Sequence, residues 1–195
     1  MRRLLALVTT FTLWLALPAS AGGPNQVVVA SPTVDGLALH RSGVQVVSTG
    51  ADSVDSTNLA LAAPTGCTGC EGIAVAYQAL ILTGHPRNVS PVNAAVAINT
   101  NCTSCRAYAH AHQLAVVTAS DDARLSQAGR AKVADIRRRV AALVDSGLPF
   151  VDLDAQLMAI DGEFDAAVLG DLRRSGDDPH DAAPRTEAEA APVGA

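Results

Sequence analysis

Cys67, Cys70, Cys102 and Cys105 are the four cysteines of the chain, set as two C-x-x-C pairs. Three chemistries fit that pattern. The first is a disulfide framework, since an even cysteine count in an exported protein reads that way. A β-turn brings Cα atoms three residues apart to within about 7 Å, and a disulfide spans about 4.4–6.8 Å. Cys67–Cys70 and Cys102–Cys105 are therefore feasible as local staples. If the two segments stack in register at about 4.8 Å, Cys67–Cys102 with Cys70–Cys105 is feasible too. The local pairs are preferred because each segment then carries its own staple, and the pairing stays open between the two. The second chemistry is a zinc ion held by all four thiolates in a tetrahedral site. The third is a redox-active C-x-x-C, which normally opens a helix after a strand. Disulfides are the leading reading, with no cofactor, and zinc is the alternative.

The cysteines belong to a longer repeat. With Asn58 aligned on Asn93, Ala60 meets Ala95, Ala62 meets Ala97, Cys67 meets Cys102, Thr68 meets Thr103 and Cys70 meets Cys105. Ala74 then meets Ala109, Ala76 meets Ala111, Gln78 meets Gln113 and Thr83 meets Thr118. A period of 35 residues without a gap marks a duplication. Asn25 and Gln45 share the Asn-to-Gln spacing of the other copies and suggest a third copy that lacks the cysteines. Within each copy the spacing has period 2, a strand signal. Asn58, Ala60 and Ala62 share one face; Ala74, Ala76 and Gln78 share another, with Ile73, Val75, Tyr77 and Ala79 behind them. Alanine is a poor strand former, so these small faces serve close approach by another sheet or backbone. Asn58, Gln78, Asn93 and Gln113 are expected to hydrogen-bond along the face or cap loops. Each copy reads as strand, C-x-x-C turn, strand.

His110 and His112 alternate with Ala109 and Ala111 and would project from one strand face as a two-histidine metal pair. The equivalent residues of the other copy are Val75 and Tyr77, which favours a surface or packing face instead. His40, His85 and His180 are isolated in sequence. No H-E-x-x-H, G-x-S-x-G, P-loop or dinucleotide fingerprint is present, and residues 22–120 hold too few acids for a carboxylate pair. No catalytic residue is assigned.

The stretch from Asn58 to Thr118, with Leu125 to Leu143 after it, resembles the C-terminal accessory region of bacterial proteins described as peptide zinc metalloproteases, and related secreted proteins. The matching residues are Asn93-x-Ala95-x-Ala97, Cys102-x-x-Cys105 and Ala109-x-Ala111-x-Gln113. In that family the protease lies in a separate membrane part, which has no counterpart here. The resemblance implies an exported accessory module and no protease.

The N-terminus supports export. Arg2 and Arg3, an uncharged apolar run from Leu4 to Leu17, and Ala19-Ser20-Ala21 read as a cleavable signal peptide over residues 1–21. The apolar run is short of the roughly 20 residues a bilayer crossing needs. No membrane span is expected in the remainder. Losing Arg2 and Arg3 moves the formal net charge from −5 to −7, which disfavours nucleic acid as a partner. Charge is sparse over 22–120 and dense beyond, which suggests two regions, the first kept soluble by Asn, Ser, Thr and Gln.

The elements that follow are helical. Val133, Ile136, Val140 and Leu143 give an apolar stripe over 126–146, stopped at Gly147. Leu153, Leu157, Ile160, Phe164, Val168 and Leu172 give another over 152–174. A helical hairpin is expected, docked on the sheet or on a partner, with Arg137, Arg138 and Arg139 on a solvated face. Residues 175–195 read as a disordered acidic tail. The expectation is an α+β fold: a β-repeat domain at 22–120, a helical region at 121–174, and the tail. The function expected is a disulfide-stabilised, non-catalytic structural or interaction module, secreted or at the cell envelope, that binds a protein partner or itself. The alternative is a zinc or thiol-redox module serving a protease.

Overall fold

The computed structural model describes residues 24–176, 179–180 and 186–190. The expected signal peptide lies outside the described residues. Six strands alternate between two sheets. β1 (Gln26–Ala30), β3 (Ser53–Ala62) and β5 (Asn88–Ala97) form the first; β2 (Ala38–Thr49), β4 (Glu71–Thr83) and β6 (Arg106–Thr118) form the second. Every pairing among these six is parallel. Each strand is followed by one in the opposite sheet, so the chain winds as a coil and meets itself one turn later. Parallel pairing needs such a long return. Here the return is set by the period of the sequence: Asn58 lies beside Asn93, Ala76 beside Ala111 and Gln78 beside Gln113. The chain is thus mixed α and β, as expected.

Asn25 does not take the interior place that its spacing suggested. The register puts Gln26, not Asn25, beside Asn58, while Gln45 does stand beside Gln78. The first turn is one residue shorter between these two positions, so the polar position moves along by one. The longer Gln26 side chain donates to Gly43 O at 3.0 Å. Asn58 donates likewise to Ala76 O at 3.2 Å and Asn93 to Ala111 O at 2.8 Å, and Gly43, Ala76 and Ala111 are stacked residues. The same bond thus closes all three turns.

The space between the sheets is lined by Val28, Ala30, Ala60, Ala62, Ala74, Ala76, Ala107, Ala109 and Ala111. Side chains this small are what close approach of the two backbones requires. The expected partner of the alanine face is the chain's own other sheet. Ala76 is wholly buried there. The polar residues also differ from their expected role as solubilisers: Asn58, Gln78, Gln113 and Ser56 are buried.

The larger core lies on the other side of the second sheet. Val75, Tyr77, Ile81, Leu114 and Val116 pack under α1 (Gln127–Val144) and α2 (Phe150–Ser175). Val133, Ile136 and Val140 from α1, with Leu157, Phe164 and Leu172 from α2, complete it. Each such apolar side chain contributes about 1.5–3 kcal/mol by leaving water. The helical hairpin is therefore docked on the sheet. The three arginines are exposed and each has a partner within the chain: Arg137 donates to Val44 O of β2 at 2.7 Å, Arg138 to Asp135 at 2.9 Å, and Arg139 pairs with Glu163 of α2. No described helix is long and apolar enough to cross a membrane.

The acidic tail was expected to be disordered. Two short stretches of it are placed instead as strands, β7 (Pro179–His180) and β8 (Thr186–Ala190), both antiparallel to β6. β6 has no parallel neighbour on that side, and its open row of N–H and C=O groups favours a further strand. The rest of the tail lies outside the described residues.

Candidate functional site

Two clusters bring chemically capable side chains together. The first is at the corner where β3 passes to β4 and β5 to β6. Gly66 and Gly69, each just before a cysteine, have φ of 66° and 65°, and their stacked equivalents Asn101 and Ser104 have φ of 50° and 54°. Glycine accepts this left-handed conformation freely and asparagine tolerates it. These residues turn the chain twice within five positions and aim both cysteines of a pair inward. Cys67–Cys70 and Cys102–Cys105 are disulfide pairs with Cα separations of 6.2 and 5.7 Å, so the local pairing stands. The two turns lie one above the other. Gly66 N donates to Thr100 O at 3.0 Å, Thr103 N to Cys67 O at 3.1 Å and Arg106 N to Cys70 O at 2.8 Å. In the first turn Asp35 replaces a staple, its carboxylate accepting from Thr68 N at 2.7 Å.

The stacking brings the two disulfides into contact. Cys67 Sγ is 3.6 Å from Cys102 Sγ and 3.9 Å from Cys105 Sγ. Cys67, Cys70 and Cys105 are buried and Cys102 is partly so. No described cysteine is free.

The second cluster lies between β6 and α2. Tyr108, His110 and His112 point from one face of β6 toward the helix. They meet Asp154, Asp161 and Asp165. Tyr108 donates its hydroxyl to Asp154 Oδ1 at 2.6 Å; His110 Nε2 lies 3.0 Å from Asp161 Oδ1, and His112 Nε2 lies 2.9 Å from Asp165 Oδ1. Asp161 also approaches the second histidine, with Oδ2 3.8 Å from His112 Nδ1. Tyr77 of β4 packs at a tilt against both imidazoles, with ring centroids 5.6 and 5.7 Å away, and donates to Leu157 O at 2.9 Å.

The electrostatics of this seam follow from burial and pairing. Burial by itself would raise the Asp161 carboxyl. The hydrogen bond and charge of His110, with help from Tyr77 and His112, outweigh it and hold Asp161 below the usual carboxylate range. Burial first, and then the negative charge of Asp161, drive the Tyr77 phenol far above the ordinary tyrosine range, so it stays a donor. The side chains of His112 and Asp165 are only 1% and 3% exposed, which leaves a substrate no approach. A hollow of about 550 Å³ on the hairpin is lined by Ala131, Lys132, Asp135, Ile136, Arg139 and Glu163, among others, and by none of the seam.

His110 and His112 therefore sit on a packing face. Their carboxylate partners come from the charge-rich region, which is why residues 22–120 alone showed no such pair. The signal was present in α2: Asp161 and Asp165 interrupt the apolar stripe of Ile160, Phe164 and Val168, and acids on a buried helix face need partners. His40 is not isolated in space either. It bridges Glu71 at 3.0 Å and Asp145 at 3.3 Å, and Glu71 also pairs with Arg106.

Asn58, Asn93, Gln78 and Gln113 form two ladders inside the coil. Asn58 donates to Asn93 Oδ1 at 2.8 Å, and Gln113 donates to Gln78 Oε1 at 2.6 Å. They lie inside the coil and take no part in either cluster. No protein-family model, no curated protein and no solved structure matches the chain.

Proposed function

We propose that this chain is an exported, non-catalytic interaction module that associates with a second copy of itself through the outer face of its first sheet. The observation that carries the reading is that face. Val27, Val29, Val92, Val96 and Ile98 stand 41–53% exposed on or beside it, with Leu59 and Leu61 half-buried between them. Asp55 is the only charged residue in β1, β3 and β5. A contiguous apolar surface on a soluble domain marks an interaction site. One whose single strand charge, Asp55, sits near the start of β3 can meet its own copy with little like-charge repulsion.

Export accords with the N-terminal leader and with paired cysteines, which persist in oxidising compartments. The resemblance to accessory regions of bacterial metalloproteases supports a place at the cell envelope. The absence of access to the His–Asp seam favours binding over catalysis.

The test is the mass of the purified chain in solution by light scattering, beside a Val29→Glu/Val96→Glu variant. Both positions are exposed, so the variant should keep the native circular dichroism. The expected result is a dimer or larger for the native chain and a monomer for the variant. A native chain that is monomeric at high micromolar concentration overturns the reading, as does a variant that associates equally.

A further inference from the structure

The geometry points to a second state of the cysteine corner: when reduced, Cys67, Cys70, Cys102 and Cys105 hold one zinc ion between the stacked turns. This rests on the corner alone and is independent of the association proposed above. A tetrahedral zinc–thiolate site has Zn–S distances of about 2.3 Å, which sets its sulfurs about 3.8 Å apart. Three of the four sulfurs already sit at such spacings, and Cys70 Sγ, now 3.1 Å from Val34 O, would turn from that contact to complete the set. Cys67 Sγ is 3.6 and 3.9 Å from the sulfurs of Cys102 and Cys105, and one sulfur from each of Cys67, Cys102 and Cys105 lies within 4.8 Å of the other two. Cleaving the two S–S bonds lets each pair relax from bonding distance toward the spacing that the pairs have from one another.

The frame that would hold this quartet does not depend on the disulfides. The backbone bonds from Gly66, Thr103 and Arg106 tie one turn to the next, and the parallel bridges Thr65↔Thr100 and Thr68↔Thr103 flank the cysteines. The left-handed residues before each cysteine fix the inward direction of the side chains. Preorganised thiolates on a rigid double turn are what a structural zinc site needs. Cys102, the partly exposed member, is the sulfur that a reductant reaches first.

The chemistry balances without an unnamed reagent. Two equivalents of a dithiol deliver four electrons and four protons, cleave both disulfides and leave as two disulfides. Zinc then binds as the divalent cation and displaces the four thiol protons, leaving a site of net charge −2. Zinc is not itself oxidised or reduced. Two equivalents of a small-molecule disulfide take the four electrons back and leave as four thiols with four protons from water, which ejects the ion and restores both staples, so the corner is held in either redox state.

The experiment uses the purified chain, reduced anaerobically with a phosphine and freed of it, then titrated with cobalt(II) as the spectroscopic stand-in. The expected result is the visible spectrum of a tetrahedral tetrathiolate, saturating at one ion per chain and abolished by one equivalent of zinc. The oxidised chain should give no such spectrum, and Cys67→Ser and Cys102→Ser should each lose it. Circular dichroism in parallel reports the coil. A reduced chain that keeps its β signal but shows no tetrathiolate spectrum overturns the inference. So does a spectrum that survives in either serine variant. A reduced chain that unfolds and is not restored by zinc also overturns it, whereas refolding on addition of zinc supports it.

Discussion

Gln113 donates its side-chain amide to Gln78 Oε1 at 2.6 Å, from one turn of the coil to the turn before it. Gln78 continues the chain of contacts, with Nε2 3.0 Å from Pro24 O and 3.4 Å from Gln45 Oε1, and Ser56 Oγ lies 2.9 Å from its own Oε1. A polar ladder inside an alanine interior is costly unless its members are paired. The register of the coil is thereby specified: a slip of one residue would turn Gln78 and Gln113 to the other sheet face and leave them facing apolar side chains.

Truncating the ladder at its centre should therefore cost more than the lost contacts. Gln78→Ala removes the acceptor of Gln113 and leaves a cavity between the sheets. The expected loss is about 2–4 kcal/mol, read as a lowered urea midpoint with an unchanged slope. A loss under about 1 kcal/mol would mean that water or neighbouring groups replace the bonds, and that the ladder does not specify register.

The ladder also shows what could be read in advance. The 35-residue period contains the parallel register, because identical residues that stack produce identical positions: Asn58 on Asn93 and Gln78 on Gln113 follow directly. The alternation of Ala74 and Ala76 with Val75 and Tyr77 marks two different faces. It does not say that the alanine face meets the chain's own other sheet. Folding back is decided by the turns, where Gly66 and Gly69 reverse direction over a few residues. The partners of His110 and His112 lie about 50 residues away in α2, and no local spacing links a strand histidine to a helix aspartate. Asn25 failed as a predictor because a turn one residue shorter moves the polar position to Gln26. Asn25 is used differently, its Oδ1 accepting from Thr57 N at 2.9 Å.

The His–Asp seam makes the docking of α2 sensitive to acid. Asp161 is held below the usual carboxylate range in the folded state: burial opposes this, and the bond and charge from His110 prevail. A group whose folded value is depressed contributes stability above its unfolded value and loses it as pH falls toward the folded one. The free energy of unfolding should thus decline as pH falls below about 5, with Asp161 among the groups responsible. Asp161→Asn should be less stable at neutral pH and should show a shallower decline. Urea unfolding at closely spaced pH values checks this, with tryptophan-free probes such as far-ultraviolet dichroism. Equal slopes for the two proteins would place the acid sensitivity elsewhere.

The start of α1 supplies a sign reversal between two glycines. Ser126 caps the helix, its Oγ accepting from Gly129 N at 3.1 Å. Asp171 of α2 then holds the cap, accepting from Ser126 N at 2.7 Å and from Ser126 Oγ at 2.8 Å. Burial would raise the Asp171 carboxyl, but these two bonds and Arg174 hold it below its ordinary range. A Cβ on Gly129 would overlap the Asp171 carboxylate, whereas one on Gly162, midway along α2, meets nothing within 4 Å. Alanine normally stabilises a helix interior by about 1 kcal/mol over glycine. Gly162→Ala should therefore stabilise by about 0.5–1 kcal/mol. Gly129→Ala should destabilise by about 1–3 kcal/mol, because it displaces the carboxylate that joins the two helices. Ser126→Ala should lose about 1 kcal/mol from the cap alone. Thermal melts of the three variants beside the native chain provide the comparison. If Gly129→Ala melts higher than the native chain, the Asp171–Ser126 contact does not fix the hairpin, and helix propensity alone governs the start of α1.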